Sequence, residues 1–459
     1  MLSWYTNVRD FTPLLGCRNS VSTPGHTQSR KYMERRLRMS TRFAWVLGLL
    51  VLVFVGLLVA CGSHFSPSSD GLLLVPSLGS AVVQTFSFNL SSGHSSSINK
   101  PRPIPGPPSQ GSVASIILDP AGAFAYLTTS NTPNPVQSPC TTINSLATYK
   151  ANSNGTLSAI GTTTLGSNPP AALAMDSAGK FLFVANSATC ALPGTSTIAG
   201  AISVFSIGSN ASLTEVTGSP FPMPATLGGA PANPVALAIT PTVFPALHAA
   251  CSGTAAPTTE YLYVADAAND ALWEFSVDTS SGVLGKPPNH ASVPSFAASS
   301  VPSGIAVDAC NRFIYAANQN SNNVSAYTIC NGGPASSATC QSSDGSLVPV
   351  PASPFAAGNG PAAVAVDPLG NFVYVVNKLA NTLSGYRISP ASGSLGNAST
   401  VTTGSTPVSI AIRGDDNWVF VTNYSSANVS EYSLTPATGG LSPQAPITTG
   451  NFPFGVAVK

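Results

Sequence analysis

The chain has 459 residues, with Gly and Pro at 40 each and charged residues at only 8%, so helix-stabilising Glu, Lys and Arg are scarce while turn formers abound. Eight of the 18 Lys and Arg and two of the 17 Asp and Glu lie at or before Arg42, and the rest of the chain therefore carries ten basic against fifteen acidic residues. That balance offers no basic track for a phosphate backbone and excludes nucleic acid as a partner.

Residues 1–38 show neither periodicity nor repeat, and Met33 or Met39 is an alternative start. Arg35–Arg42 forms a positive n-region and Phe43–Val59 an apolar run, the layout of a signal peptide assigned to 39–60. A run of 17 residues is borderline for spanning a bilayer. The sequence Leu58-Val59-Ala60-Cys61 resembles the bacterial lipobox. That resemblance implies removal of everything before Cys61 and acylation of its thiol and of the new amino terminus. The protein is then exported and held at a membrane by lipid on Cys61, each chain adding about 0.8 kcal/mol per buried CH₂. Gly62, where retained lipoproteins carry Asp, resembles the sorting signal for the outer membrane of two-membrane bacteria. Residues 61–71 are read as the lipidated Cys and a tether.

From 72 to 459 one phrase repeats: a Pro, an alternating apolar strand, a turn, an aromatic-rich strand closed by Asn or Asp, and a third alternating strand. First strands read AALAMD at 171, VALAIT at 235, SGIAVD at 303, AAVAVD at 362 and VSIAIR at 408, with VASIILD at 113. Second strands read FAYLTT at 124, FLFVAN at 181, YLYVAD at 261, FIYAAN at 313, FVYVVN at 372 and WVFVTN at 418. Period-two alternation with aromatic and β-branched residues is the strand signature. Third strands follow, and Leu157, Leu213, Leu284, Leu347, Leu395 and Leu441 mark short fourth strands.

Six units are complete; a seventh is split between LLLVPS at 72 with VVQTFSF at 82 and FGVAVK at 454. The fold class read from this is all-β, a seven-bladed β-propeller of four-stranded antiparallel blades closed by the C-terminal strand. Asn186, Asp266, Asn318, Asn377 and Asn423 close second strands, where a short carbonyl side chain is expected to organise the next turn.

Six cysteines lie beyond Cys61, an even number in a disulfide-permissive compartment. Their places in the repeat predict the pairs Cys140–Cys190, Cys251–Cys310 and Cys330–Cys340. None is spaced CxxC, so no zinc site is read. His64, His94, His248 and His290 share no blade position and form no metal-ligating or catalytic motif, and no cofactor is implied.

The stretch Pro361–Asn377, PAAVAVDPLGNFVYVVN, resembles the lactonase family of seven-bladed propellers that includes 6-phosphogluconolactonase, and also the closely related YVTN-type repeat. The resemblance covers nearly all of 72–459. In that family a blade typically opens Pro-Arg-His and its second strand runs into Asn-Glu-Leu. Here the matching places hold Pro361-Ala362-Ala363 and Asn377-Lys378-Leu379. The other blades open Pro170-Ala171-Ala172, Pro234-Val235-Ala236, Pro302-Ser303-Gly304 and Pro407-Val408-Ser409. Opening a lactone needs a polarised carbonyl and an activated water or nucleophile, and these departures remove a base and a phosphate ligand together.

Two readings stay open. The first is a binding or scaffold module for a small molecule, glycan or protein, presented by insertions at 131–144, 187–200, 241–259 and 330–343. The second is a lactone hydrolase acting on an envelope or periplasmic lactone, for which Lys378 and Arg413 are the catalytic candidates. Arg312, Arg387, Asp266, Glu274, Asp415 and Asp416 are further charges able to reach a channel or its rim. A quinone- or metal-dependent dehydrogenase would show a Trp docking motif in each blade or an acidic cluster, and the sequence shows neither. A monomer is expected.

Overall fold

The computed structural model describes residues 70–459 except 90–91, 93–94, 99–100, 105–110, 132–143, 167, 189–198, 225–229, 242–258, 332–339 and 341–342. The signal peptide, Cys61, the tether up to residue 69, Cys140, Cys190, Cys251, His94 and His248 lie outside the described residues. Within them, seven antiparallel sheets form seven blades, each with strands a to d from the axis outward. Blade 6 shows the plan: Pro361–Val366, Phe372–Asn377, Thr382–Ile388 and Leu395–Thr402. Blade 1 takes strands b and c from Asp70–Ser77 and Val82–Asn89, and its strand a from Ala457–Val458.

Closure is short. Leu73 pairs with Val458 and Leu74 with Ala457, and backbone bonds from Phe454 to Pro76 (3.1 Å) and from Lys459 to Leu72 (2.9 Å) extend the seam. Arg413 of blade 7 donates Nε to the Lys459 carbonyl at 3.1 Å. Its guanidinium also pairs with Asp415 and lies 5.7 Å from the Phe88 ring centre. Phe88 in turn meets Phe420 at 5.1 Å and Trp418 at 6.5 Å between centroids.

The core is divided into seven clusters, one per blade interface. The cluster between blades 5 and 6, for example, sets Phe313, Tyr315 and Ala326 against Val364, Val373 and Tyr386. Strand b is buried along its whole length in blades 3 to 7, which explains why this strand is the most apolar phrase of the repeat. Tyrosine hydroxyls tie neighbouring blades together. Those of Tyr263, Tyr315 and Tyr374 donate to the carbonyls of Gly345, Gly393 and Gly439 in the following blade at 2.5, 3.0 and 3.0 Å. Each of these glycines has a positive φ, and a Cβ there would strike the aromatic wall of the preceding blade.

The outer strand differs from the single short strand expected near each Leu. In blades 1, 3, 4, 5 and 7 it is broken into two pieces that pair with the same strand c, whereas in blades 2 and 6 it is continuous. The difference tracks proline. Leu157–Leu165 and Leu395–Thr402 contain none, while Pro349, Pro351 and Pro354 interrupt the edge of blade 5 between Leu347 and Phe355. Proline cannot donate to a ladder and is tolerated on edges.

Turns follow two recurring devices. At the end where strand a stops, Asp119, Asp176, Asp308 and Asp367 each accept the backbone N–H groups four and five residues on, at 2.5–2.9 Å. At the other end, the Nδ2 groups of Asn186, Asn318, Asn377 and Asn423 each donate to a serine on strand c at 2.9 Å. These closing residues therefore organise the b–c turn. We call the two ends of the ring the aspartate end and the proline end.

Cys330 and Cys340 form a disulfide across the c–d hairpin of blade 5, with Cα atoms 5.3 Å apart. Cys310, in the a–b turn of the same blade, is also disulfide-bonded, to a partner outside the described residues.

Three buried acids face blade interfaces. Glu274 has no hydrogen-bond partner on either carboxyl oxygen, and burial followed by the nearby Asp344 pushes its pKa up to about 9. Burial raises Glu431 to about 7. Burial and then the neighbouring Asp367 raise Asp416 to about 7. In the unfolded chain all three titrate near 4. Below that pH both states are protonated; above it the unfolded chain releases protons that the folded one keeps, and stability falls as pH rises through the folded pKa values. Urea midpoints are therefore expected to fall from pH 4 to 9. Asp416→Asn and Glu431→Gln should flatten the part of the slope up to about pH 7, and Glu274→Gln the part continuing to about 9.

Candidate functional site

The seven inner strands enclose a cavity of about 330 Å³ at the proline end of the channel. Its wall takes the opening residues of every blade: Ala171 and Ala172, Val235 and Ala236, Ser303 and Gly304, Ala362 and Ala363, Val408 and Ser409, together with Ser115 and Phe454. Two consecutive residues of one strand normally point to opposite faces. Here a register shift follows the opening proline in blades 4 to 7, where Pro234, Pro302, Pro361 and Pro407 pair normally and the next residue is skipped. Such bulges re-aim side chains, and this one turns both residues after the proline toward the cavity.

Space on the axis is limited. A Cβ on Gly304 would lie 3.0 Å from the Cα of Ala363 and 3.2 Å from the backbone nitrogen of Val364. Convergence of the strands favours Gly, Ala, Ser and Val at the blade openings, and with Ile116, Leu237, Ile305 and Val364 behind them the described wall offers hydroxyls, backbone groups and apolar side chains. Ser303 already donates its hydroxyl to the Pro361 carbonyl at 2.8 Å.

Lys378 and Arg413 are not brought together. Lys378 follows strand b of blade 6 at the proline end, half-buried, with its backbone N–H on the Gly360 carbonyl at 2.8 Å. Arg413 follows strand a of blade 7 at the aspartate end, and a six-residue strand separates the two levels by roughly 20 Å. Arg413 stitches the ring seam, so a pair of catalytic cations at one mouth is not what these residues form.

The other charges are also engaged in structure. Arg312 binds Asp308 at 2.7 Å and the Gly370 carbonyl at 2.9 Å, and Arg387 lies over Phe372 at 5.6 Å. Asp266 accepts from the Trp273 indole at 3.0 Å and the Asn233 backbone at 2.8 Å. His290 meets Asp344 at 3.1 Å. Among the described residues no group of three or more His, Cys, Asp or Glu could hold a metal ion.

One feature of the proline end has no counterpart in the sequence reading. Tyr424, in the b–c turn of blade 7, stacks on Phe452 of the connection into blade 1, with centroids 4.9 Å apart and planes at 29°. Phe454, which lines the cavity, stands edge-on to the same tyrosine at 6.4 Å and 85°. Phe452 is 45% exposed.

Comparison with known proteins agrees with this architecture. No curated protein matches the chain. Among solved structures, the periplasmic gluconolactonase PpgL of Pseudomonas aeruginosa superposes with a TM-score of 0.63 at 18% identity, covering 85% of this chain and 99% of that one. A candidate 6-phosphogluconolactonase from Bacteroides fragilis gives 0.62 at 18%, covering 85% and 98%. At such identity the likeness establishes the fold. The family model for lactonases with a seven-bladed β-propeller matches residues 64–192, 244–338 and 335–456. The chain therefore belongs to the lactonase family of seven-bladed β-propellers.

Proposed function

We propose that this chain is an exported, lipid-anchored member of the family whose propeller binds a ligand at the proline-end mouth without turning it over. The observation that carries this reading is the cavity wall itself. The blade-opening positions that face the channel, where lactonases place Arg and His, hold Ala, Val, Ser and Gly in five blades. Such a wall can shape and orient a ligand through hydroxyls and backbone groups, whereas ring opening needs a positioned acid, base or oxyanion donor.

Export is supported by the lipobox-like run ending at Cys61 and by the disulfide-bonded Cys310, Cys330 and Cys340, since disulfides persist in oxidising compartments. Hydrolysis of a lactone is the second reading. It is favoured by membership of the family and by a structural relative named as a periplasmic gluconolactonase.

Two experiments test the proposal. In a pH-stat assay with glucono-δ-lactone and a panel of aliphatic lactones, acid release by the full-length protein should equal that of buffer; turnover that disappears in Lys378→Ala would establish the hydrolase instead. In cells fed labelled palmitate, the wild type should incorporate label and Cys61→Ser should not, and equal labelling of both would remove the lipid anchor from the account.

A further inference from the structure

The residue before the opening proline is set in the left-handed region in four blades: Val301, Gly360, Thr406 and Phe452, with φ of 56, 65, 56 and 57°. The turn serves the fold. The carbonyls of these residues accept the N–H groups of Gln319, Lys378, Tyr424 and Leu78, the residues that follow strand b in each blade, at 2.8–3.1 Å. Glycine satisfies this conformation without strain, as Gly360 does, whereas a bulky residue at positive φ is an outlier that the surroundings must hold in place. Phenylalanine at 452 is thus not required by the turn, and much of its ring stays in solvent.

The strained backbone presents that ring at a defined place. Phe452 rests on Tyr424, Tyr424 meets Phe454, and Phe454 continues into the wall of the cavity. The exposed chain neighbours of this pair are Ser425 and Asn451; Ser405 accepts the Ser425 backbone N–H at 3.2 Å, and Gly79, next to exposed Ser80, donates its own to the Asn451 carbonyl at 3.0 Å, so the flanking side chains are neutral hydroxyls and an amide. An exposed aromatic face beside neutral hydrogen-bonding groups suits a ligand with an apolar C–H face and a hydroxyl periphery. A pyranose has that surface.

We infer that Phe452 and Tyr424 form a stacking platform for a neutral, pyranose-based oligosaccharide, with the cavity receiving an adjoining unit. This rests on the binding reading above and names its ligand class.

The test uses the full-length chain in a detergent without a sugar headgroup, with cellohexaose, maltohexaose, xylohexaose and laminarihexaose as probes in saturation-transfer NMR and calorimetry. At least one sugar should receive saturation on its ring C–H protons. Phe452→Gly, which suits the left-handed backbone, and Tyr424→Ala should each weaken binding at least tenfold, while Phe452→Tyr should retain it; near-ultraviolet circular dichroism confirms that each variant is folded. Absence of saturation in all four sugars, or unchanged affinity in both weakening variants, overturns the inference. So does Phe452-dependent binding to phosphatidylglycerol vesicles in place of sugars, which would make the platform a lipid contact. Lactone turnover alongside sugar binding would instead leave the platform standing and remove the non-catalytic reading alone.

Discussion

Closure of the ring through Leu73 and Leu74 with Val458 and Ala457 is the constraint on which the rest of the molecule depends. Each blade buries its strand b against the next blade, so no blade has a core of its own; seven interfaces exist only if the first and last meet. The closing ladder is two residue pairs long, and the seam recruits other forces: the Arg413 guanidinium on the Lys459 carbonyl and the packing of Phe88 on Trp418 and Phe420. An arginine that looked available for chemistry is occupied in holding the circle shut.

The same closure dictates what the channel can contain. Seven strands converging on one axis bring the backbone of Ala363 within 3.0 Å of where a Cβ on Gly304 would lie. In blades 4 to 7 a bulge after the opening proline turns two residues of each into this space. The family phrase carries Arg and His at those positions; here they are short, and the proline end combines hydroxyls and amides around an aromatic pair with charges such as Lys378 and Asp270 in the turns of other blades. Site and scaffold are thus one problem in packing, solved in this chain in favour of a lined cavity with an external platform.

Much of the fold was legible because strand alternation, Asn-closed hairpins and the split first blade are written in short-range pattern. Phe372–Asn377 and its five equivalents were found with almost no error in their bounds. The broken outer strands escaped notice although their signal, prolines such as Pro349, Pro351 and Pro354, was visible; the fourth strand was read from its Leu marker alone. The cavity positions were legible as departures from the Pro-Arg-His phrase, and the structure places those residues in the wall. The separation of Lys378 and Arg413 was legible too: Arg413 ends a first strand and Lys378 follows a second, and in an antiparallel blade those positions lie at opposite ends. The platform was missed because Tyr424 and Phe452 belong to different blades and meet only through closure, and positive φ at Phe452 leaves no mark in the sequence.

The role of closure can be measured directly by removing residues 454–459 and following urea unfolding by tryptophan fluorescence and protease resistance together. The account predicts loss of the single cooperative transition, with blades 1 and 7, which share the seam, becoming cleavable first. A truncated chain that unfolds at the wild-type midpoint with wild-type cooperativity would contradict it.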